Sequence, residues 1–215
     1  MFWRQAPKVL GIWARSTFGW EIPDSGPGPL KNLKRRANGT SDAQMLVGDY
    51  TNPILKPHAA DIVRRHGEIS KAGDAYPDPS NQCVSMGTPY ILRVNEMVMI
   101  QEPKRVMILY MQDHQFRQIR LNGKHPDKVV PSWHGDSVGH YEGDTLVIDT
   151  TGLNDQTWVD HFRTPHTDRL HVIERYRMIE GGKTLEVNIR VEDPGAFTTP
   201  WNGIQRFRRA EGPLL

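Results

Sequence analysis

The sequence predicts a mainly β protein, an antiparallel barrel of lipocalin-like type with one N-terminal helix and an extended N-terminal arm. From Tyr90 onward, short β-favouring segments are joined by mostly short connections, which is typical of closed barrels and sandwiches. The sequence contains no βαβ rhythm, no G-x-G-x-x-G fingerprint and no phosphate-binding P-loop. These observations favour a barrel and exclude the usual nucleotide-binding folds.

The strands of the barrel are delimited by turn residues. Gly143-Asp144 and Glu180-Gly181-Gly182 each interrupt a β-favouring stretch and predict a hairpin. The last predicted strand alternates between apolar and polar residues, as a half-buried antiparallel strand does. The predicted strands are 97–101, 106–111, 116–121, 137–142, 145–150, 170–179 and 184–191.

Composition and hydrophobic periodicity divide the chain into an arm (1–50), a helix with a Pro-rich connector (51–89) and the barrel (90–215). The helix is expected near 57–68, because Pro57 suits the first turn of a helix and Gly67 suits its end. The arm carries aromatic residues that need burial, and its exchange within a homodimer would provide it. These residues are Phe2, Trp3, Trp13, Phe18 and Trp20.

Charge and composition indicate which classes of binding partner the protein has. Lys and Arg number 27 against 25 for Asp and Glu, a net charge of +2, which argues against a nucleic-acid binder. No apolar run approaches the ~20 residues that a membrane-spanning helix needs. The single cysteine excludes an intrachain disulfide framework. A small, partly apolar molecule is the expected partner, and the compartment, cytoplasmic or exported with its signal removed, stays open.

The predicted strand 170–179 places one carboxylate, Glu174, on its apolar face, beside residues such as Tyr176. A charge among apolar neighbours costs several kcal/mol unless it is paired or protonated. Glu174 is therefore either a pocket carboxylate that serves as general acid or base, or half of a structural ion pair with Arg190 or Arg206.

Histidines are concentrated in the same half of the chain. Six of them fall between residues 125 and 171, interspersed with aspartates, which favours either an acid–base set or a His/Asp metal site. The sequence lacks an H-E-x-x-H signature, so a divalent cation and a metal-free site remain alternatives, and the cofactor is unknown. The candidate metal ligands are His134, His140, His166 and His171.

The predicted turn at Gly143-Asp144 fixes a register. A two-residue turn pairs Glu142 with Thr145, which places His140 and Asp149 on one face as diagonal neighbours. Ser137 and Tyr141 then lie on the opposite, core-like face. The long loop 151–169 contains Trp158, which either caps a cavity or anchors the loop. The candidate substrate-binding residues are Ser137, Tyr141, Trp158 and Tyr176.

Three blocks of sequence carry a family resemblance. The segments PDPSNQC (77–83), PSWHGDSVGHYEGDTLVIDT (131–150) and TPHTDRLHVIERYR (164–177) resemble a widespread group of bacterial proteins. The resemblance covers roughly residues 45–201. No established activity is associated with this group, so the resemblance implies a shared β-rich fold and assigns no catalytic residue.

Together these patterns favour a small-molecule hydrolase that acts on an ester or lactone, for example an acyl lactone, or an acid–base lyase. Hydrolysis at a barrel mouth needs an activated water and a donor to the oxyanion. His140 with Asp149 would activate the water, and His166 or His171 would donate to the oxyanion. Because His171 and Glu174 are three residues apart, a regular strand puts them on opposite faces, and we expect His171 at the loop end. The alternative is a non-catalytic, lipocalin-like binding protein for a small apolar ligand.

Overall fold

The computed structural model describes residues 8–15, 46–74, 78–93 and 96–210. Within these residues the chain is mainly β, with one α-helix, as the sequence predicts. The elements are β1 (Lys8–Arg15), α1 (Pro57–Ala72), β2 (Glu96–Glu102), β3 (Arg105–Tyr110), β4 (Gln115–Leu121), β5 (Asp136–Glu142), β6 (Thr145–Thr151), β7 (His171–Ile179), β8 (Thr184–Glu192) and β9 (Trp201–Arg209).

Strands β2 to β9 form one curled sheet in which each strand pairs with its neighbour in the sequence. All these pairs are antiparallel except β4–β5, which is parallel. Strand β1 pairs with β2 on one side and with β9 on the other, which closes the sheet into a barrel. The curled sheet gives every strand an inner and an outer face, and the two faces carry different chemistry.

The first strand lies in the segment that the sequence analysis assigned to the arm. The residues Lys8–Arg15 pair with both edges of the sheet, with a bulge between Val9 and Gly11. Gly11 has φ +151°, and a Cβ there would lie 2.8 Å from the Trp13 ring. Trp13 is buried, as expected. The other arm aromatics lie outside the described residues, so exchange of the arm within a homodimer stays a prediction.

Helix α1 begins at Pro57 as predicted, but it continues to Ala72 instead of ending near Gly67. It ends at Gly73, which adopts the left-handed conformation and donates its N–H to carbonyls of the last turn. A Cβ at Gly67 would lie 2.9 Å from Cγ1 of Val47, so this glycine allows close packing and does not stop the helix. None of the described helices is long and apolar enough to cross a membrane.

The predicted register of the β5–β6 hairpin is confirmed, with Glu142 opposite Thr145 and Val138 opposite Asp149. The β7–β8 hairpin also forms, and it places His171 opposite Glu192. Strand β9 was not among the predicted strands. Its inner positions, which include a buried Gln205, lack the apolar alternation that marks β8.

The barrel interior has an apolar hollow at one end and a network of polar side chains in the middle. A short 3-10 turn, Tyr90–Arg93, follows Thr88, whose N–H donates to the carbonyl of Trp133 ahead of β5. The opposite end, at the β5–β6 and β7–β8 turns, contains a hollow lined mainly by apolar side chains. Between the two lies a buried network of charged and hydroxyl side chains.

Candidate functional site

The carboxylate of Glu174 lies inside the barrel in an ion pair with Arg117. Arg117 extends from the inner face of β4 and donates through Nη1 to Glu174 Oε1 at 3.0 Å and through Nη2 to Oε2. The side chains of Arg117 and Glu174 are 1% and 0% exposed. Tyr176 donates its hydroxyl to Glu174 Oε1 at 2.9 Å. The partner is therefore Arg117, whereas Arg190 and Arg206, the partners expected from the sequence, pair with glutamates elsewhere.

Two more N–H groups of Arg117 donate to hydroxyl groups in the core. Its Nε donates to Ser137 Oγ at 3.1 Å, and Nη2 donates to Thr150 Oγ1 at 2.6 Å. Burial raises the pKa of Tyr110 to about 12 and that of Tyr176 well above its usual value, so both phenols stay protonated. A paired and saturated carboxylate of this kind has the geometry of a structural ion pair rather than that of a general acid.

The outer face of the same strands carries a second cluster, in which two imidazoles share one carboxylate. His125, in the loop after β4, and His171, the first residue of β7, both place Nε2 3.0 Å from Asp149 Oδ1. His171 points outward and Glu174 inward, as a regular strand requires. These two residues therefore do not share a site.

Further carboxylates flank the two imidazoles. His125 Nδ1 lies 2.6 Å from Asp136 Oδ2, and His171 Nδ1 lies 3.6 Å from Glu192 Oε2. Hydrogen bonds from Arg120 and then His125 lower the pKa of Asp136, and Arg190 lowers that of Glu192. We call the resulting set the outer array: Arg120, His125, Asp136, Asp149, His171 and Glu192.

The two imidazoles of the outer array differ in their hydrogen bonding. His125 meets a carboxylate at each nitrogen, Asp136 at Nδ1 and Asp149 at Nε2. His171 meets Asp149 at Nε2 at 3.0 Å, whereas its Nδ1 makes a longer contact of 3.6 Å with Glu192 Oε2. In the neutral ring, donation of Nε2–H to Asp149 leaves Nδ1 of His171 as a proton acceptor. The Asp149–His171 pair can therefore accept a proton from a molecule beside Glu192.

A groove adjoins the outer array at Glu192. It follows the connection between β8 and β9 and has a volume of about 460 Å³, including space open to solvent. Its lining is mostly apolar, with hydroxyl and carboxylate groups at intervals. The lining residues are Glu192, Asp193, Pro194, Phe197, Thr198, Thr199 and Pro200.

The other candidate histidines lie apart from this array. His140 is exposed and bonds Glu142, with Nε2 3.2 Å from Oε1, instead of turning to Asp149. His166 is buried, which lowers its pKa, and its Nδ1 donates to the Thr167 carbonyl at 3.1 Å. Its Nε2 then carries no proton, so a neutral His166 offers no hydrogen to an oxyanion.

His134 lies inside the barrel end, stacked on Tyr110, with Nε2 2.9 Å from Gln115 Oε1 and Nδ1 3.2 Å from Thr88 Oγ1. Burial, and then the charge of Arg117, lower its pKa to about 4. The candidate metal ligands are thus dispersed. Among the described residues, no group of three or more His, Cys, Asp or Glu side chains could hold a metal ion.

The candidate substrate-binding residues divide between three places. Tyr141 and Tyr176 line the hollow at the turn end of the barrel. Ser137 belongs to the buried network around Arg117. Trp158 packs edge-on against His66, with ring centroids 5.0 Å apart, which fits an anchor for its loop.

Sequence reasoning did not include Arg117, His125, Asp136 or Glu192 among its candidates. One signal was available, since the β7–β8 hairpin register places Glu192 directly opposite His171. For Arg117 no local signal exists, because its contact with Glu174 crosses the barrel between residues 57 apart in sequence.

The fold and these contacts define a β-barrel protein with a buried polar network and a surface array of imidazoles and carboxylates. Comparisons with protein-family models, curated proteins and solved structures found no match for this chain. The functional assignment therefore depends on the geometry of the chain itself.

Proposed function

We propose that this protein is a hydrolase for a small, partly apolar ester or lactone, with its chemistry at the outer array. The observation that supports this function is the placement of His171. One nitrogen of its ring is held by Asp149, and the other faces Glu192, which also lines the groove. An acid–base pair beside a mainly apolar groove suits a substrate with an apolar body and a reactive carbonyl.

The reaction follows from the roles of the two nitrogens. His171 Nδ1 takes a proton from a water molecule whose oxygen attacks the carbonyl carbon, and Asp149 stabilises the imidazolium that forms. The carbonyl then re-forms, the bond to the leaving oxygen breaks, and the imidazolium returns the proton to that oxygen. His125, clamped between Asp136 and Asp149, holds the Asp149 carboxylate in position.

Hydrolysis of aryl esters and acyl lactones by single variants tests this function. We expect His171→Gln and Asp149→Asn to lower kcat by ~10²-fold or more, the usual contribution of general base catalysis, with unchanged thermal unfolding. His140→Gln is the matched control, because His140 is an exposed outer-face histidine outside the array, and it should keep the parent rate. Absence of hydrolysis in the parent, or full activity in both array variants, would overturn the proposal.

A second candidate function is that of a lipocalin-like binding protein, and the hollow at the turn end of the barrel favours it. The hollow measures about 340 Å³ with its open mouth included, and only a small part of it is enclosed. Its walls are mostly apolar, as a carrier requires, and the buried charges of Arg117 and Glu174 are paired with each other. Binding of small apolar probes without hydrolysis would favour this function over the first.

A further inference from the structure

We propose that the hollow at the turn end of the barrel binds a small molecule with an apolar body and a protonated amine. This inference is independent of the outer array and deepens the second candidate function by naming the charge of its ligand. The residues that line the hollow are Trp13, Met99, Tyr141, Asp144, Leu146, Tyr176, Met178 and Leu185.

The lower walls of the hollow suit a short alkyl chain or a single ring. Leu146, Leu185 and Met99 are buried inner-face residues, 3%, 4% and 2% exposed. Trp13 on β1 forms one side, and Gly11, which has no Cβ, leaves room for its ring. Met99 and Met178 have flexible thioether side chains, which adapt to ligands of irregular shape. Removal of an apolar group from water into this space provides the affinity.

Among the residues that line the hollow, one is charged: Asp144. This residue is exposed in the β5–β6 turn, and it forms no ion pair with any described residue. Its carboxylate accepts a hydrogen bond from the Thr145 hydroxyl, at 3.3 Å to Oδ1. Because the other lining residues are uncharged, the rim favours a cation over an anion.

Aromatic residues line the same hollow as this carboxylate. Tyr141 is 43% exposed, and its hydroxyl donates to Gln101 Oε1 at 2.7 Å, which fixes the ring at the rim. Arg209 already lies over the Trp13 ring, 5.9 Å from its centroid, so the tyrosine side of the hollow is the place for a ligand cation. An ammonium group between a phenol ring and a carboxylate gains both cation–π and charge attraction.

The test compares three probes of one length: hexylamine, 1-hexanol and hexanoate. Their binding to the full chain at neutral pH is measured by calorimetry and by tryptophan fluorescence. We expect hexylamine to bind about fivefold more tightly than hexanol, the effect of an exposed charge pair and cation–π contact, and hexanoate to bind most weakly. Asp144→Asn should abolish the preference for the amine and leave hexanol binding unchanged.

Two further variants control the experiment. Asp168→Asn removes an exposed carboxylate from the loop before β7 and should leave all three affinities unchanged. Met178→Trp at the exposed rim should weaken all three probes by obstructing the hollow. Equal binding of the three probes, or an amine preference that survives Asp144→Asn, would overturn this inference but leave the second candidate function intact. Absence of binding by every probe up to about 10 mM would overturn both.

Discussion

The buried Arg117–Glu174 pair makes the barrel interior sensitive to single substitutions. We expect Glu174→Gln to lower the free energy of unfolding by about 3–5 kcal/mol, because it leaves a guanidinium charge uncompensated in the core. The double variant Arg117→Met/Glu174→Leu should cost less than either single change, since neither charge remains. Urea unfolding measures both effects.

The helix surface provides the control for this prediction. Arg64 bonds Glu68 on the exposed face of α1, and Arg64→Ala should change the free energy of unfolding little, because exposed pairs contribute little. A double variant at positions 117 and 174 that loses more stability than either single change would contradict the expectation. Hydrolysis that persists in Glu174→Gln would support a structural role for this carboxylate.

His134 makes stability depend on pH. Its folded-state pKa of about 4 lies below its ordinary value of 6.5, so the unfolded chain takes up the proton first as the pH falls. Stability from this residue is complete above pH 6.5 and is lost between pH 6.5 and 4, about 3 kcal/mol in all. We expect His134→Gln, which can still hydrogen-bond to Gln115, to flatten this loss in unfolding measurements across that range.

Asp160 changes stability with pH in the opposite direction to His134. Burial raises its pKa to about 6, so the folded chain takes up this proton before the unfolded one, which stabilises the fold as the pH falls from 6 to 4. Asp160→Asn should therefore steepen the acid loss that His134→Gln flattens. The same pH dependence in both variants would show that neither group titrates as described.

At the scale of secondary structure elements, local patterns were sufficient where one turn fixes the pairing of two strands. The turn at Gly143-Asp144 and the alternation of β5 and β6 predicted their register correctly. The predicted end of α1 was wrong. Gly67 resembles a stop signal, but in the structure its lack of a side chain allows close packing against Val47. The sequence cannot distinguish these two uses of glycine without the packing partner.

Contacts between distant elements could not be predicted from local patterns. The parallel β4–β5 pair needs a long connection, in which His125 lies, and no hairpin signal accompanies such a pair. The register placed His140 beside Asp149, but the side chain bonds Glu142 on its own strand. Backbone register therefore predicted which strands carry the site. It did not predict which side chains bond to each other, because nearby carboxylates compete for the same imidazole.

At the scale of the whole molecule, closure depends on β1, which covers the edges of both β2 and β9. Deletion of residues 1–15 would leave the N–H and C=O groups of two strand edges unpaired. Open edges pair with other chains, so we expect the truncated protein to associate into larger species. Size-exclusion chromatography with light scattering measures this association.

Trp13→Ala in the full chain separates loss of the edge cover from loss of core packing. It removes a buried indole but keeps the backbone of β1, so we expect a destabilisation of about 3–5 kcal/mol without association. Hydrogen exchange should then show β2 and β9 amides protected in Trp13→Ala and exposed in the truncated chain. A truncated chain that keeps the parent's size and amide protection would show that β2 and β9 do not need β1, and closure would then contribute little to the fold.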